Sequence, residues 1–236
     1  MGSIYLIRHG QASFGAQDYD VLSPTGRQQA QALGEHLARL DLTFDRCISG
    51  SLLRQRDTAQ IALSHMQAAA GETPALETDS AFDEFDAIGV IRQLLPAMLT
   101  DEPHALEVMR DAANQPAEFQ RLFVSIIGRW LSGDYDAPGL QSWKAFVEQA
   151  QSGLNRILDN ATPGQNIAVF TSGGTITALL HLITRIPVAE AFELNWQIVN
   201  TSLSHLKYRD GEVTLASFNG YTHLQLLNMP ALITYR

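Results

Sequence analysis

The chain has 236 residues, with 16 basic and 25 acidic side chains, a net charge of -9, and 45% apolar against 17% charged residues. That balance supports one large domain, or one domain with an insertion, and excludes wholesale disorder. The acidic excess argues against nucleic acid or an anionic membrane as a partner, so an anionic substrate needs a local cationic pocket.

The single cysteine, Cys47, excludes internal disulfides and fits a reducing compartment. Within Arg46-Cys47-Ile48 it reads as a small buried hydrophobe. No uncharged apolar run approaches the roughly 18 residues of a membrane span, and no basic leader opens the chain. The expectation is a soluble, cytoplasmic protein.

In chain order, Ile4-Tyr5-Leu6-Ile7 predicts a short strand buried on both faces, ended by Arg8-His9-Gly10-Gln11. A cation and an imidazole at the carboxyl end of such a strand stand where open α/β sheets bind ligands. A polar loop over 12–22 leads into a helix that Ser23 caps and Pro24 starts, with Ala30, Leu33, Leu37 and Leu40 on one face. Residues 44–49 predict a second strand. Ser51 then caps a second helix running to about Ala70, with Ala59, Ile61, Ala62, His65 and Met66 on its apolar side. Gly71 and Pro74 end that helix, and residues 75–78 predict a third strand. The alternation points to a mostly parallel sheet covered by helices.

From residue 87 to 159 the pattern is helical, divided by Pro96, Pro103, Pro116 and Pro138. The section up to about Gly139 reads as a helical insertion. The last helix, striped by Trp143, Phe146, Val147, Ala150, Leu154, Ile157 and Leu158, belongs to the main fold. Residues 166–171 are the strongest strand in the chain and run into Ser172-Gly173-Gly174, with a helix over 175–184. Alternation over 201–208 and 212–218 around Asp210-Gly211 predicts a hairpin that gives the sheet an antiparallel edge, a surface on which two copies can pair. The tail, 228–236, carries no signal.

Two strands therefore end in glycine-softened loops at one sheet edge, and Arg54 stands just inside the second helix at that edge. Two arginines and a histidine near helix N-termini suit a phosphate, because guanidinium forks match its oxygens.

Leu6-Ile7-Arg8-His9-Gly10 resembles the signature of the histidine phosphatase superfamily, the phosphoglycerate-mutase-like proteins. The resemblance continues in order through Leu22-Ser23-Pro24-Thr25-Gly26, Ser51-Leu52-Leu53-Arg54, Val169-Phe170-Thr171-Ser172-Gly173-Gly174 and Asn219-Gly220-Tyr221-Thr222-His223. It implies a three-layer α/β/α fold and a phosphatase of a small phosphate monoester that needs no metal or cofactor. In that scheme His9 is the nucleophile and becomes phosphohistidine, Arg8, Arg54, Ser172 and Gly173 hold the phosphate, and Glu84 is the general acid. Asp83 and Asp86 flank Glu84 as alternative acids. Two departures stand out. The family pattern has a second histidine where this chain has Ser172, and it has an asparagine in the loop near Gly15. These departures keep open a non-catalytic phospholigand-binding or regulatory protein, and a phosphosugar mutase.

Ser172 is not read as a hydrolase nucleophile, because Phe170 stands where a nucleophile elbow needs glycine. His36, His104, His181 and His205 lack metal spacing. His223 reads either as a pin for the closing loop near the pocket or as a structural residue.

Overall fold

The computed structural model describes residues 1–13, 20–70, 73–100, 102–112 and 114–235. Six strands form one sheet: β1 (Gly2–Arg8), β2 (Arg46–Ser49), β3 (Leu76–Thr78), β4 (Asn166–Thr171), β5 (Leu203–Arg209) and β6 (Glu212–Gly220). Their order is β3-β2-β4-β1-β5-β6, and only β5 runs against its neighbours. The chain is thus a mixed α/β fold with a mostly parallel sheet.

The middle of β1, residues 4–7, is apolar on both faces because the strand lies inside the sheet, between β4 and β5, with Ile4, Leu6 and Ile7 fully buried. Its residues alternate between the two faces. Tyr5 and Ile7 join Cys47, Ala168 and Phe170 under Leu33 and Leu37 of α1 (Pro24–Arg39) and Ala59, Ala62 and Met66 of α2 (Leu53–Ala70). Burial pushes the Cys47 thiol up to about 12, so it stays protonated and packs as a hydrophobe.

Contacts divide the chain into two compact units, Met1–Glu84 with Gln149–Arg236, and Phe85–Glu148. The second unit holds α3 (Ala87–Met98), α4 (Ala105–Arg110), α5 (Pro116–Ser132) and the first turns of α6 (Trp143–Asn160). Its core stacks Phe85 on Trp130 at 4.5 Å, with Trp143 edge-on to Trp130 at 5.4 Å. The first unit continues through α7 (Gly173–Thr184), α8 (Val188–Asn195) and α9 (Thr222–Gln225). No described helix is long and apolar enough to cross a membrane.

Several expectations need correction. Pro96 does not divide two helices; it sits inside the last turn of α3, where the helix ends two residues later and only one backbone donor is lost. Leu40 is 59% exposed, because it falls at the C-cap where the chain leaves α1. The tail is not idle: Leu232 packs with Ala32, Val199 and Leu224. The hairpin turn is as read, with Asp210 and Gly211 both left-handed at φ 52° and 82°, the geometry of a type I′ turn. Gly15 and Gly71 lie outside the described residues.

Candidate active site

All the elements that carry the site belong to the first unit. β1 and β4 run parallel with Arg8 opposite Thr171, so the residues that follow, His9 and Ser172, leave the sheet side by side. The His9 backbone is held at both ends. Its N–H donates to the Thr171 carbonyl at 2.8 Å, and its carbonyl accepts from Asn200 Nδ2 at 3.0 Å. Close backbone contact with α1 needs glycine: a Cβ on Gly26 would lie 2.2 Å from the Gln11 carbonyl oxygen, and one on Gly10 would lie 2.5 Å from that of Gly26.

The His9 ring is almost fully buried. Nδ1 lies 2.7 Å from the Gly10 carbonyl, an obligate acceptor, so Nδ1 carries the proton and Nε2 keeps its lone pair. Arg54 Nε donates to that Nε2 at 3.2 Å. Burial, then Arg54 and then Arg8 hold His9 well below the usual histidine range, so the ring is neutral at pH 7.

Arg54 is buried in the first turn of α2, and its Nη1 donates to Asp20 Oδ1 at 2.7 Å. Asp20 Oδ2 also accepts from the Leu53 amide at 2.8 Å. Asp20, not Ser51, therefore caps this helix. Ser51 instead gives its amide and its hydroxyl to the Asp83 carboxylate, the latter at 2.6 Å. Thr58 ties α2 to the signature loop, accepting from the Gly10 amide at 2.9 Å.

Arg8 donates to the Ile198 carbonyl, and its guanidinium borders Gly173, where an added Cβ would lie 3.7 Å from Arg8 Cζ. Glu84 Oε2 accepts from the Gly174 amide at 3.1 Å, at the N-terminus of α7. Its loop is held by Thr175 Oγ1 on the Asp83 carbonyl at 2.7 Å and by Thr171 Oγ1 on the Phe82 carbonyl at 2.6 Å. Of the three acids, Asp83 is engaged with Ser51 and Asp86 caps Gly89 at 2.8 Å within the other unit, whereas Glu84 reaches the end of β4.

His9, Arg8, Arg54, Glu84, Ser172 and Gly173 thus gather where β1, β4 and α2 meet. Among the described residues, no three His, Cys, Asp or Glu side chains are grouped to hold a metal. A family model of the histidine phosphatase superfamily, branch 1, matches residues 4–118 and 111–220.

This chain belongs to the histidine phosphatase superfamily.

Among curated relatives, the serine/threonine-protein phosphatase Pgam5, mitochondrial, of Caenorhabditis elegans is 41% identical over 66 residues, covering 27% of this chain and 22% of that protein. The PGAM5 protein of Rattus norvegicus is 30% identical over 119 residues, covering 50% of this chain and 38% of its own length. The matches to these two superfamily members thus span well under half of their length. A phosphoglycerate mutase from Bacillus anthracis superposes with a TM-score of 0.64 over 97% of each chain at 18% identity, a likeness of fold.

Sequence reasoning missed four residues that support this cluster. Asp20 was one acid in a loop read as polar. Gln55, with Thr58, continues the Ala59–Ala62–Met66 stripe of α2 one turn back, so helical spacing marked it as buried although it is polar. Asn200 ends a chain of hydrogen bonds from Thr234, itself bonded to Gln29, whose Oε1 accepts from the Gln11 amide at 2.8 Å. His223 is structural: its Nε2 lies 3.0 Å from Thr201 Oγ1, and Thr201 in turn donates its amide to the Arg8 carbonyl at 3.0 Å.

Proposed function

We propose that the chain is a phosphatase that hydrolyses a small phosphate monoester, without a metal ion, through a phosphohistidine on His9. The observation that carries this reading is the His9 ring: neutral, buried, with Nδ1 fixed on Gly10 and the Nε2 lone pair facing Arg54. An entering phosphate takes the Arg54 N–H now given to Nε2, and Arg8 holds a second side of it. Nε2 attacks phosphorus and the P–O bond to the leaving group breaks. Glu84 gives that oxygen its proton, a contribution of about 10²- to 10⁴-fold. Water then attacks the phosphohistidine, its proton passes to Glu84, and the P–N bond breaks to restore neutral His9.

In this reading Ser172 stands where the family pattern has its second histidine and gives the phosphate one neutral hydrogen bond. Losing a charge-assisted contact costs about 1.5–3 kcal/mol, which is about one to two decades in rate if felt in the transition state. That observation also supports a second reading, a phospholigand-binding protein without turnover. Hydrolysis of an aryl phosphate in the presence of EDTA separates the two. Turnover that survives EDTA and vanishes in His9→Ala supports the phosphatase. Equal rates in both proteins, or phosphate binding with no phosphorylated His9 after an alkaline denaturing quench, which preserves the P–N bond, overturn it.

A further inference from the structure

Ser172 is an N-cap residue of a favoured type that does not cap. It precedes α7 in extended backbone, yet its side chain makes no bond to the helix amides, and the Gly174 amide goes to Glu84 instead. The hydroxyl is turned toward Gln55, which is fully buried.

The Gln55 amide has one possible orientation. Its nitrogen lies 2.9 Å from the Phe82 carbonyl, which only accepts, and its oxygen lies 3.3 Å from the Leu52 amide, which only donates. The second N–H of that nitrogen therefore points at Ser172 Oγ, 2.8 Å away. The serine oxygen accepts, and its own proton is left to donate elsewhere. Among the described residues, no acceptor for that proton is present. Ser172 leaves the sheet beside His9, and the next residue, Gly173, borders the Arg8 guanidinium.

We propose that Gln55 is a positioning residue that holds Ser172 as a donor, aiming its single proton at a phosphoryl oxygen between His9 and Arg8. Gln55 thereby does for a hydroxyl what charge does for an imidazolium: it guarantees a hydrogen pointing at the anion. The same amide also grips the Phe82 carbonyl, so the turn leading to Glu84 and the end of β4 are set by one side chain. The proposal rests on the phosphatase reading.

The test is a double-mutant cycle on aryl phosphate turnover with Gln55→Glu and Ser172→Ala, in the full chain. A carboxylate at position 55 accepts the serine proton and withdraws it from the phosphate. Its charge also repels the substrate, but it does so in both backgrounds, and the cycle removes that shared part. With Ser172 present, Gln55→Glu is expected to lower kcat/KM about 10- to 100-fold. With Ser172→Ala, the same change should cost several-fold less. Gln55→Met, read in the same two backgrounds, covers the case in which the glutamate variant does not fold. Melting temperatures monitor any general structural damage, which moves both backgrounds alike. Equal losses with and without the serine hydroxyl overturn the proposal. If wild-type turnover does not depend on His9, the phosphatase reading itself has failed, and that result is seen before the cycle begins.

Discussion

Replacing His223 by glutamine should flatten the acid side of the stability profile. Thr201 gives its own hydroxyl proton to the Asn200 carbonyl at 2.6 Å, so its oxygen accepts from His223 Nε2. Nδ1 is left with a lone pair, buried and without a partner among the described residues. A proton there has no acceptor and faces the His36 ring at 5.8 Å, and burial, then His36, pushes His223 down to about 3. The unfolded chain takes up that proton near pH 6.5, while the folded chain refuses it until about pH 3. His223 therefore costs nothing above pH 6.5. Below it, each pH unit removes about 1.4 kcal/mol, or about 2 kcal/mol by pH 5. His9 and His36, also held below their usual range, add slope of the same sign to both proteins. Glutamine retains a donor for Thr201 and does not titrate. Urea denaturation from pH 7.5 to 4.5 should thus show His223→Gln gaining about 2 kcal/mol on the wild type between pH 7 and 5, whatever packing costs at neutral pH. Parallel profiles would refute the reasoning.

Two further outcomes follow from the site. Glu84→Gln should depend on the leaving group when read as kcat/KM, which reports phosphorylation of His9 and not the later attack of water: it should fall about 10²- to 10⁴-fold on an alkyl phosphate, which needs a proton, and far less on a nitrophenyl phosphate, which does not; equal losses in kcat/KM on both substrates would assign the acid elsewhere. Asp20→Asn keeps one acceptor oxygen where the carboxylate uses two, so it holds Arg54 Nη1 but gives up the Leu53 amide, and it removes a negative charge beside the phosphate site. Inorganic phosphate should inhibit that variant several-fold more tightly, with the gain shrinking in high salt, and weaker inhibition would show that Asp20 serves the site by orienting Arg54 rather than by opposing the anion.

β1 and β4 were legible because interior strands of a parallel sheet must be apolar on both faces, and the 210–211 turn because two left-handed residues in a row admit few side chains. The positions of Arg8 and His9 followed from the end of β1, and that of Arg54 from the start of the second helix. The cap of α2 was not legible. Ser51 has the right chemistry, but Asp83, 32 residues on, takes both of its donors, and Asp20 comes from the other direction to do the capping. Local propensity names candidates for a cap, and tertiary approach chooses among them. Gln55 was missed although a signal was there: it lies one turn before Ala59 and Ala62 on the buried side of α2, but helical spacing does not name the Phe82 carbonyl and the Ser172 hydroxyl it serves. Thr234 carries no local pattern, since its hydrogen bonds reach back to Asn200 and Gln29.

The strand order has a consequence for how the chain is made. β4 separates β1 from β2, so the first two strands of this sheet to leave a ribosome have no edge in common. About 120 residues separate the end of β2 from the end of β4. At ordinary synthesis rates that is a wait of about 6–25 s, during which β1 stands as an apolar ribbon with neither neighbour present. A nascent chain arrested before residue 166 would therefore be a client for chaperones, and release past residue 209 would let β4 and β5 flank β1 and the phosphate pocket form with them.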